Sequence, residues 1–147
     1  MSLGTVWAEC ERLSDSLDML KCASAGLVTT LGSEHPMTLI AMANLGYVYC
    51  DLGMFDESIK LLETAIAASS RVSGTEHFNT LWMRECLAEA YHRHGNMAES
   101  IQLLTAVVEI RTSVLEPGHC ITRSNLRKLQ LWNKTLSKGY FYLIESF

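Results

Sequence analysis

Two glutamates and a histidine are the residues of this chain whose types and spacing could support acid–base chemistry. Glu85 and Glu89 are four residues apart, which places both carboxylates on one face of a helix. His92 follows on the same face, and imidazole exchanges protons readily near neutral pH. Two carboxylates held together in a cleft favour a proton on one of them, so proton transfer is one hypothesis. Charged residues on helix faces are more often simply solvated, and we therefore expect no catalytic residue and no enzyme.

Three histidines recur at a spacing of 42 residues, and each is followed three positions later by a threonine. They are His35, His77 and His119. All ligands of one metal ion lie about 2.0–2.3 Å from it, whereas equivalent positions of successive repeats lie a whole repeat apart. We therefore expect no metal site and no cofactor. Each imidazole is predicted instead to order the turn before a helix through its ring nitrogens.

The chain has five cysteines, an odd number, and no C-x-x-C pair. Most of them fall within predicted helices, which favours free and mostly buried thiols in a reducing compartment. The sequence therefore predicts a cytoplasmic protein. A disulfide or metal framework is the alternative.

The spacing of the histidines extends along the chain. Residues 31–72 align with residues 73–114 without a gap, and 14 of the 42 aligned positions are identical. The same spacing places Leu3-Gly4-x-x-Trp7 on Leu45-Gly46-x-x-Tyr49, so the chain starts within a repeat. A constant period of this size predicts stacked copies of one unit, because no copy can bury its apolar face alone. We expect one domain, 1–147, with a partial repeat 1–30, full repeats 31–72 and 73–114, and a degenerate repeat or cap 115–147.

Each full repeat has the pattern of two helices, A and B. Pro36 suits the first turn of helix A, where no backbone N–H is needed. Apolar residues recur at three- and four-residue steps as far as Leu52, and Gly53 supplies a left-handed residue that ends the helix. Helix B is predicted from Phe55 to Val72. No stretch alternates with a period of two, so the sequence predicts an all-α fold of antiparallel helix pairs.

Small residues occupy matching positions where the two helices of a repeat should meet. Gly46 and Ala88 match in helix A, and Ser58 and Ser100 match in helix B. Helices approach to about 8–10 Å only where the side chains at the contact permit it. A larger residue at these positions is expected to force the pair apart.

At these positions the chain resembles the tetratricopeptide repeat (TPR) family. Leu45-Gly46-x-x-Tyr49 matches the helix-A pattern of that family, and residues 87–91 match it with alanine for glycine. The 42-residue period and the loop at 31–36 are similar to the kinesin-light-chain type of TPR, which also occurs in large fungal multi-repeat proteins. The resemblance implies an α-solenoid of about three repeats in a right-handed superhelix. The last copy departs from the pattern, with Gln130 and Asn133 at the glycine and tyrosine positions.

The resemblance also implies a binding surface, because the A helices of TPR arrays line a concave face that holds peptides or partner proteins. The ligand-contacting positions fall here on three successive helices. The candidate partner-binding residues are Asn44, Tyr47 and Asp51, then Glu85, Glu89, His92 and Arg93, then Arg127, Lys128, Leu131 and Lys134. By the same resemblance, Ala43, Cys50 and Cys86 are predicted to line the inner surface.

Charges on this face are graded along the chain. The middle repeat contributes Glu85 and Glu89, and the last contributes Arg127, Lys128 and Lys134. A basic end favours an acidic peptide segment or a C-terminal carboxylate as partner, through charge-assisted hydrogen bonds. Two alternatives are open. The face is an ordinary solvated surface of mixed charge, or its acidic and basic residues pair with each other within the stack or between chains.

Three apolar features lack an obvious internal partner: Trp82, Trp132 and the tail at residues 140–147. Stack ends normally need a polar outer face for solubility. We expect the tail to fold back as a short helix B. If it does not, a homo-oligomer through that end is expected, since exposed apolar patches mark association surfaces.

Length and composition exclude several classes of protein. The 147 residues are 48% apolar and 19% charged, which predicts a folded core rather than a disordered chain. A net charge of −4 gives no reason to expect nucleic acid as a partner. No apolar run approaches the roughly 20 residues of a membrane helix, and residues 1–15 do not resemble a signal peptide, so no membrane partner is expected.

The sequence therefore predicts a non-enzymatic module that binds a peptide or partner protein as part of a larger assembly. A self-associating structural segment is one alternative. A small-molecule-binding or catalytic helical protein that uses Glu85, Glu89 and His92 is another.

Overall fold

The computed structural model of the chain describes residues 3–115 and 118–144, with side chains for 11–115 and 118–138. The described residues form six helices and no strand, which confirms the all-α prediction. In chain order the helices are α1 (Leu3–Leu31), α2 (Pro36–Asp51), α3 (Phe55–Val72), α4 (Phe78–His94), α5 (Met97–Val114) and α6 (Cys120–Ile144). Each helix packs on the next along the chain, and α2 also packs on α4.

The two middle repeats fold as the predicted hairpins, α2 with α3 and α4 with α5. Gly53 and Gly95 lie in the turns with φ of 77° and 99°, the left-handed region that glycine adopts without strain. Asp56 and Glu57 lie in the first turn of α3, where carboxylates interact favourably with the helix dipole. The bounds of α3 are those that the sequence predicts for helix B.

The three periodic histidines cap three helices, as predicted. Nδ1 of His35 and Nδ1 of His77 each accept a hydrogen bond at 3.2 Å from the backbone N–H two residues later. Nδ1 of His119 does the same at 3.4 Å. The imidazoles thus satisfy N–H groups that have no partner within the helix.

The threonine that follows each of these histidines is fully buried, but its hydrogen bonding differs between repeats. Thr80 Oγ1 lies 2.7 Å from Ser69 Oγ and donates to Gly74 O at 2.9 Å. The hydroxyls of Thr38 and Thr122 have no hydrogen-bond partner. The residue aligned with Ser69 explains the difference. Leu27 stands at that position before Thr38, and Arg111 stands there before Thr122, so neither threonine faces a serine hydroxyl.

Replacing these threonines by valine should have opposite effects. Thr38→Val removes a buried hydroxyl that has no partner, and we expect it to raise the free energy of unfolding by about 1 kcal/mol. Thr80→Val removes two hydrogen bonds and should lower it by about 2 kcal/mol. Urea denaturation of both variants measures these changes. Two effects of the same sign and size would contradict the assignment of the hydrogen bonds.

The small residues bring α2 and α3 close together, as predicted. Gly46 and Ser58 are buried, and Ser58 Oγ donates to Gly46 O at 2.6 Å. A Cβ at position 46 would lie 2.8 Å from Leu62 Cγ, well inside the normal distance between packed carbon atoms. The main core surrounds this contact and joins α2, α3 and α4.

Gly46→Ala should therefore lower the free energy of unfolding, although alanine is the better helix former. Overpacking against Leu62 costs about 1–3 kcal/mol, and the gain in helix propensity returns about 1 kcal/mol, so we expect a net loss of about 1 kcal/mol. Gly26→Ala in α1 is the matched control, because a Cβ there meets nothing within 4 Å. It should stabilise the chain by about 0.5–1 kcal/mol. Thermal unfolding of the two variants compares them directly, and stabilisation by both would show that the α2–α3 contact is not tight.

Both outer helices run through the position at which the inner repeats turn. Glu11 of α1 and Ser137 of α6 are aligned with Gly53 and Gly95. α1 is a single helix of 29 residues, where the alignment predicts the end of a helix A and then a helix B. α6 likewise continues unbroken for 25 residues. A left-handed turn is costly for residues other than glycine, whereas a continued helix gains a hydrogen bond for each residue added.

The fold-back expected of the C-terminal tail is therefore wrong for the backbone as far as Ile144, because α6 does not reverse direction. The tail side chains, from Tyr140 onward, lie outside the described residues, as does the backbone of residues 145–147. In the described part of the chain, no helix combines the length and the apolar character needed to cross a lipid bilayer.

Candidate functional site

Three A helices, α2, α4 and α6, contribute to one groove. Its central cavity has a volume of about 320 Å³. The cavity is lined by Tyr47, Trp82, Glu85, Cys86, Glu89 and Lys128. The structure thus brings together four of the predicted binding residues, which come from three different repeats.

A second cavity adjoins the first at Trp82 and Glu85. It also measures about 320 Å³, and Trp82 and Glu85 line both cavities. Its other lining residues are Phe78, Arg111, Cys120, Ile121, Ser124 and Asn125. We refer to the two adjoining cavities as the α4 groove.

Trp82 has an internal partner, contrary to the prediction from sequence. Its half-buried side chain packs against the core formed by α2, α3 and α4. The same side chain lines both cavities of the α4 groove. Trp82 is therefore both a packing residue and the aromatic centre of the groove.

The acidic and basic residues of the groove pair with each other. Arg111 Nη1 lies 2.9 Å from Glu85 Oε2, and the Arg111 side chain is only 2% exposed. Lys128 Nζ lies 3.0 Å from Glu89 Oε2 and 3.9 Å from Glu85 Oε1. Pairing within the stack, one of the alternatives open from sequence, accounts for these four charges.

Asn125 completes this ion-pair network. In the amide orientation that satisfies both of its ends, the oxygen accepts from Arg111 Nη1 at 2.6 Å. The nitrogen donates to Glu85 Oε1 and to Ile121 O, both at 3.1 Å. A buried guanidinium is costly to remove from water unless such partners surround it, so Arg111 and its partners act as one unit.

Asp51 and Arg93 form a second pair, which links α2 to α4. Arg93 Nη1 lies 2.6 Å from Asp51 Oδ1. The hydrogen bond to this carboxylate raises the pKa of Arg93 above its ordinary value, so the guanidinium stays charged. Both side chains are about one-third exposed, and neither lines a cavity of the α4 groove.

His92 is packed between helices. Its ring stacks on Trp132, with centroids 4.2 Å apart and planes inclined by 12°, and Nδ1 lies 3.2 Å from Met97 Sδ. Burial lowers the pKa of His92, which favours the neutral ring. Because Glu85 and Glu89 are already paired with cations, the described geometry offers no free carboxylate pair beside this imidazole.

Five of the predicted binding residues are exposed and line neither cavity of the α4 groove. They are Asn44 on α2, Arg93 on α4, and Arg127, Leu131 and Lys134 on α6. Leu131 is 63% exposed. Among the described residues, Arg127 and Lys134 have no ion-pair partner. Of the predicted cations on α6, Lys128 therefore lines the groove, whereas Arg127 and Lys134 lie outside its two cavities.

Two positions predicted to line the inner surface are buried and line neither cavity of the groove: Ala43 is 0% exposed and Cys50 is 1% exposed, where α2 and α4 pack on each other. Cys86, predicted with them, is 7% exposed and lines the central cavity. Burial raises the pKa of the Cys86 thiol to about 12, and it also raises the pKa of Cys50. Both thiols are therefore protonated at neutral pH and are poor nucleophiles.

Two residues of the groove were missed by the sequence analysis. Arg111 stands at the position of Ser69, and Asn125 stands at the position of Met83. Ser69 and Met83 are both buried in the preceding repeat. Two long polar side chains at buried positions of adjacent helices could therefore have indicated a polar contact between those helices. Their pairing depends on the distance and angle at which α5 packs on α6, and the repeat pattern alone does not predict these.

Trp132 was predicted to lack an internal partner, and this is also wrong. The indole is 4% exposed and packs on Ala88 and Leu104 in a small core between α4, α5 and α6. Lys128 Nζ lies 5.8 Å from the centroid of the ring, a distance typical of a cation–π contact. Trp132 therefore attaches α6 to the rest of the stack.

Comparisons with known proteins agree with this architecture. The sequence profile of the tetratricopeptide repeat family matches residues 1–68 and 40–113. No curated protein matches the chain significantly. Among solved structures, a Podosopora anserina protein with nearly identical TPR-like repeats of the kinesin light chain kind is 27% identical, with a TM-score of 0.78. The alignment covers 88% of this chain and 62% of that one.

A single-substitution variant of the same Podosopora anserina protein is 26% identical, with a TM-score of 0.76. That alignment covers 92% of this chain and 66% of the other, so this chain spans about two thirds of the length of these structures. The repeat period, the capped hairpins and the family profile lead to one conclusion. The chain belongs to the tetratricopeptide repeat family, with repeats of the kinesin-light-chain type.

Proposed function

We propose that the chain is a protein–protein interaction module of a larger assembly and that it holds a peptide segment of its partner in the α4 groove. The fold is typically non-enzymatic, and TPR repeats favour a protein partner. The observation that carries the proposal is the half-buried Trp82, which lines both of the two adjoining cavities of about 320 Å³ each. Aromatic residues at the centre of a concave surface are typical of the positions that contribute most to binding.

The proposed segment is acidic. The carboxylates of the groove do not repel it, because Arg111 and Lys128 already neutralise Glu85 and Glu89. The exposed cations of α6 beside the groove are free to make charge-assisted hydrogen bonds with its carboxylates. The apolar wall around Phe78 and the indole would hold an adjacent apolar side chain.

Selection of a displayed random peptide library against the immobilised chain tests this proposal. We expect the enriched peptides to combine Asp or Glu with an apolar anchor. Trp82→Ala should weaken a selected peptide about tenfold or more, since centre residues are worth about 2 kcal/mol. Fluorescence anisotropy measures the affinity, and circular dichroism checks that the variant stays folded. Failure to enrich any peptide, or equal affinity of the folded Trp82→Ala variant, would rule the groove out.

A pair of charge reversals tests the acidic character of the segment. Arg127→Glu should weaken a selected acidic peptide about fivefold, because reversing an exposed charge contact changes binding by about 1 kcal/mol. Lys60→Glu is the matched control, since Lys60 is exposed on α3 and lies away from the groove. It should leave the affinity within about twofold. Equal losses in both variants would indicate a general effect of net charge and no docking of carboxylates on α6.

Self-association is a second proposed function, and the outer helices favour it. α1 and α6 each continue where an inner repeat would turn back, so neither has a hairpin partner within residues 3–144 as the structure describes them. A homo-oligomer through the apolar tail at residues 140–147 stays a prediction, because the tail side chains lie outside the described residues.

The proposed location is cytoplasmic. Of the five cysteines, the four whose side chains the structure describes carry free thiols: Cys22, Cys50, Cys86 and Cys120. Free thiols, two of them buried, are typical of proteins in a reducing compartment and support this location.

A further inference from the structure

The two outer helices of the chain, α1 and α6, correspond to the two different helices of a repeat. In an inner hairpin, a helix A packs on a helix B through contacts such as Gly46 with Ser58 and Leu62. From residue 13 onward α1 aligns with the B helices, and among the described residues no separate helix A faces it, because α1 is continuous from Leu3. α6 aligns with the A helices, and no helix B follows it among the described residues.

The face that α1 leaves exposed is one that the inner repeats bury. Ser58 and Ala65 of α3 are both 0% exposed. The aligned residues of α1, Ser16 and Ala23, are exposed. Ser16 Oγ donates at 2.8 Å to Arg12 O of its own helix, whereas Ser58 bonds across the hairpin. The difference follows from the absence of a facing helix A.

The matching face of α6 is exposed in the same way. Leu126 is 37% exposed and Gln130 is exposed. Gly46 and Ala88, which stand at the position of Gln130 in the inner repeats, are buried against helix B. α6 therefore presents a helix-A face without a helix B to cover it.

We propose that α6 of one copy packs on α1 of a second copy, so that the two helices complete one repeat across the contact. This inference specifies the surfaces of the second proposed function, self-association, on which it rests, and its test uses no peptide. One contact covers both exposed faces, because α6 needs a helix B and α1 needs a helix A. The contact is head-to-tail and leaves a free α1 and a free α6 at the ends, so the assembly can grow by further copies.

Charge favours this pairing over the pairing of two identical helices. α6 carries five cations, and no Asp or Glu occurs between residues 120 and 144. The first part of α1 carries four carboxylates against a single cation, Arg12; they are Glu9, Glu11, Asp15 and Asp18. Contact of α1 with α1 would oppose acidic stretches, whereas contact of α6 with α1 joins opposite charges.

The register of the inner hairpins aligns these charges. Position 46 lies opposite positions 58 to 62, so position 130 of α6 would lie opposite positions 16 to 20 of the second copy. In that register the acidic stretch 9–18 runs alongside 130–139, which contains Lys134 and Lys138. Long lysine side chains reach the carboxylates from the edge of such a contact.

The segments by which α1 and α6 extend past the aligned turn positions also match in length. Beyond the missing turn, α6 continues from Ser137 to Ile144, and α1 extends back from Glu11 to Leu3. At a rise of 1.5 Å per residue, each segment adds about 12 Å, so the two can pair side by side. Among its described side chains, α1 has the half-buried Leu13, Leu17 and Leu20 at steps of three and four residues.

Gln130 makes the contact looser than an inner hairpin. A glutamine at the position of Gly46 holds the helices further apart than α2 and α3. The association is therefore reversible and depends on protein concentration.

Two variants test the proposal, and we call them half-blocked because each alters only one of the two proposed contact faces. The first carries Ser16→Glu and Ala23→Glu, which place carboxylates on the exposed face of α1. The second carries Leu126→Glu and Gln130→Glu on the exposed face of α6. All four positions are exposed, so both variants should fold, which circular dichroism checks. The charge-matched control carries Ala98→Glu and Gln102→Glu at exposed positions of α5.

Sedimentation or light scattering measures the mass of each protein over about a hundredfold range of concentration. We expect the mass of the natural chain and of the control to rise with concentration, and each half-blocked variant to stay monomeric. An equal mixture of the two variants should form dimers that grow no further, because only one α6 and one α1 in each pair are intact. A natural chain that stays monomeric, or half-blocked variants that associate as it does, would overturn the proposal. Dimers of the α6 variant alone would show that α1 pairs with itself.

Discussion

Trp132→Ala should lower the free energy of unfolding by about 3–5 kcal/mol, the usual cost of removing a large buried aromatic side chain. The indole is 4% exposed, packs on Ala88 and Leu104, and stacks on His92. It is the one large apolar side chain among the described residues of α6 that is fully enclosed, so its loss should release that helix first. Urea denaturation measures the total effect, and hydrogen exchange shows whether the amides of α6 lose protection before those of α2 to α5.

Leu131→Ala is the matched control, since Leu131 is the neighbouring residue and is 63% exposed. It should change the free energy of unfolding by less than about 0.5 kcal/mol. Trp132→Phe should lie between the two, because phenylalanine keeps an aromatic face for His92 but fills less of the core. A loss below 1 kcal/mol for Trp132→Ala would mean that α6 is held by other contacts.

Arg111→Leu should lower the free energy of unfolding by about 2–3 kcal/mol. The change removes a guanidinium that is 2% exposed and leaves the Glu85 carboxylate and the Asn125 amide without their main partner. The expected cost is below that of a fully buried pair, because the Glu85 side chain is 22% exposed and Lys128 still lies 3.9 Å away. Urea denaturation at neutral pH measures it.

The pair of Arg71 and Glu34 provides the control for this prediction. Its side chains are 63% and 55% exposed, so Arg71→Leu should change the free energy of unfolding by no more than about 0.5 kcal/mol. The double variant Arg111→Leu with Glu85→Leu should recover at least about 1 kcal/mol of the single loss, because no carboxylate is then left unpaired. Additive losses in the double variant would show that the two residues do not act as a pair.

Both changes bear on the proposed function, because Trp132 and Arg111 hold α6 against α4 and α5. α6 contributes Lys128 to one cavity of the α4 groove and Ile121 to the other. Variants that loosen α6 should therefore weaken peptide binding even where they touch no peptide. Comparing the peptide affinities of Trp132→Ala and Arg111→Leu with that of Trp82→Ala distinguishes an effect of displacing α6 from an effect of removing the proposed anchor, Trp82.

The sequence predicted the inner repeats well because their signals are local. The recurrence of apolar residues at three- and four-residue steps, the turn at Gly53 and the histidine cap at His77 each involve residues a few positions apart. The close contact at Gly46 reaches only to Ser58 and Leu62, within the same repeat. Interactions of this kind recur with the period, so one alignment is enough to find them.

The outer repeats show where the period misleads. Glu11 and Ser137 occupy the positions of the turn glycines, and the alignment therefore predicts a turn that neither residue favours. The helix continues at both places because no left-handed residue stops it. The replacement of the turn glycine by Glu11 and by Ser137 is visible in the sequence, but the prediction followed the repeat period and kept the turn.

The sequence by itself determined the fold class, the helix hairpins and their caps, because these depend on contacts within one repeat. It also identified four residues that line the central cavity, since the repeat places them on one face. Only the tertiary structure decided that Arg111 and Asn125 neutralise Glu85, that Lys128 pairs with Glu89, and that Trp132 is buried against the preceding repeat. Those contacts join different repeats through long side chains, whose partners depend on the distance and angle at which the helices meet.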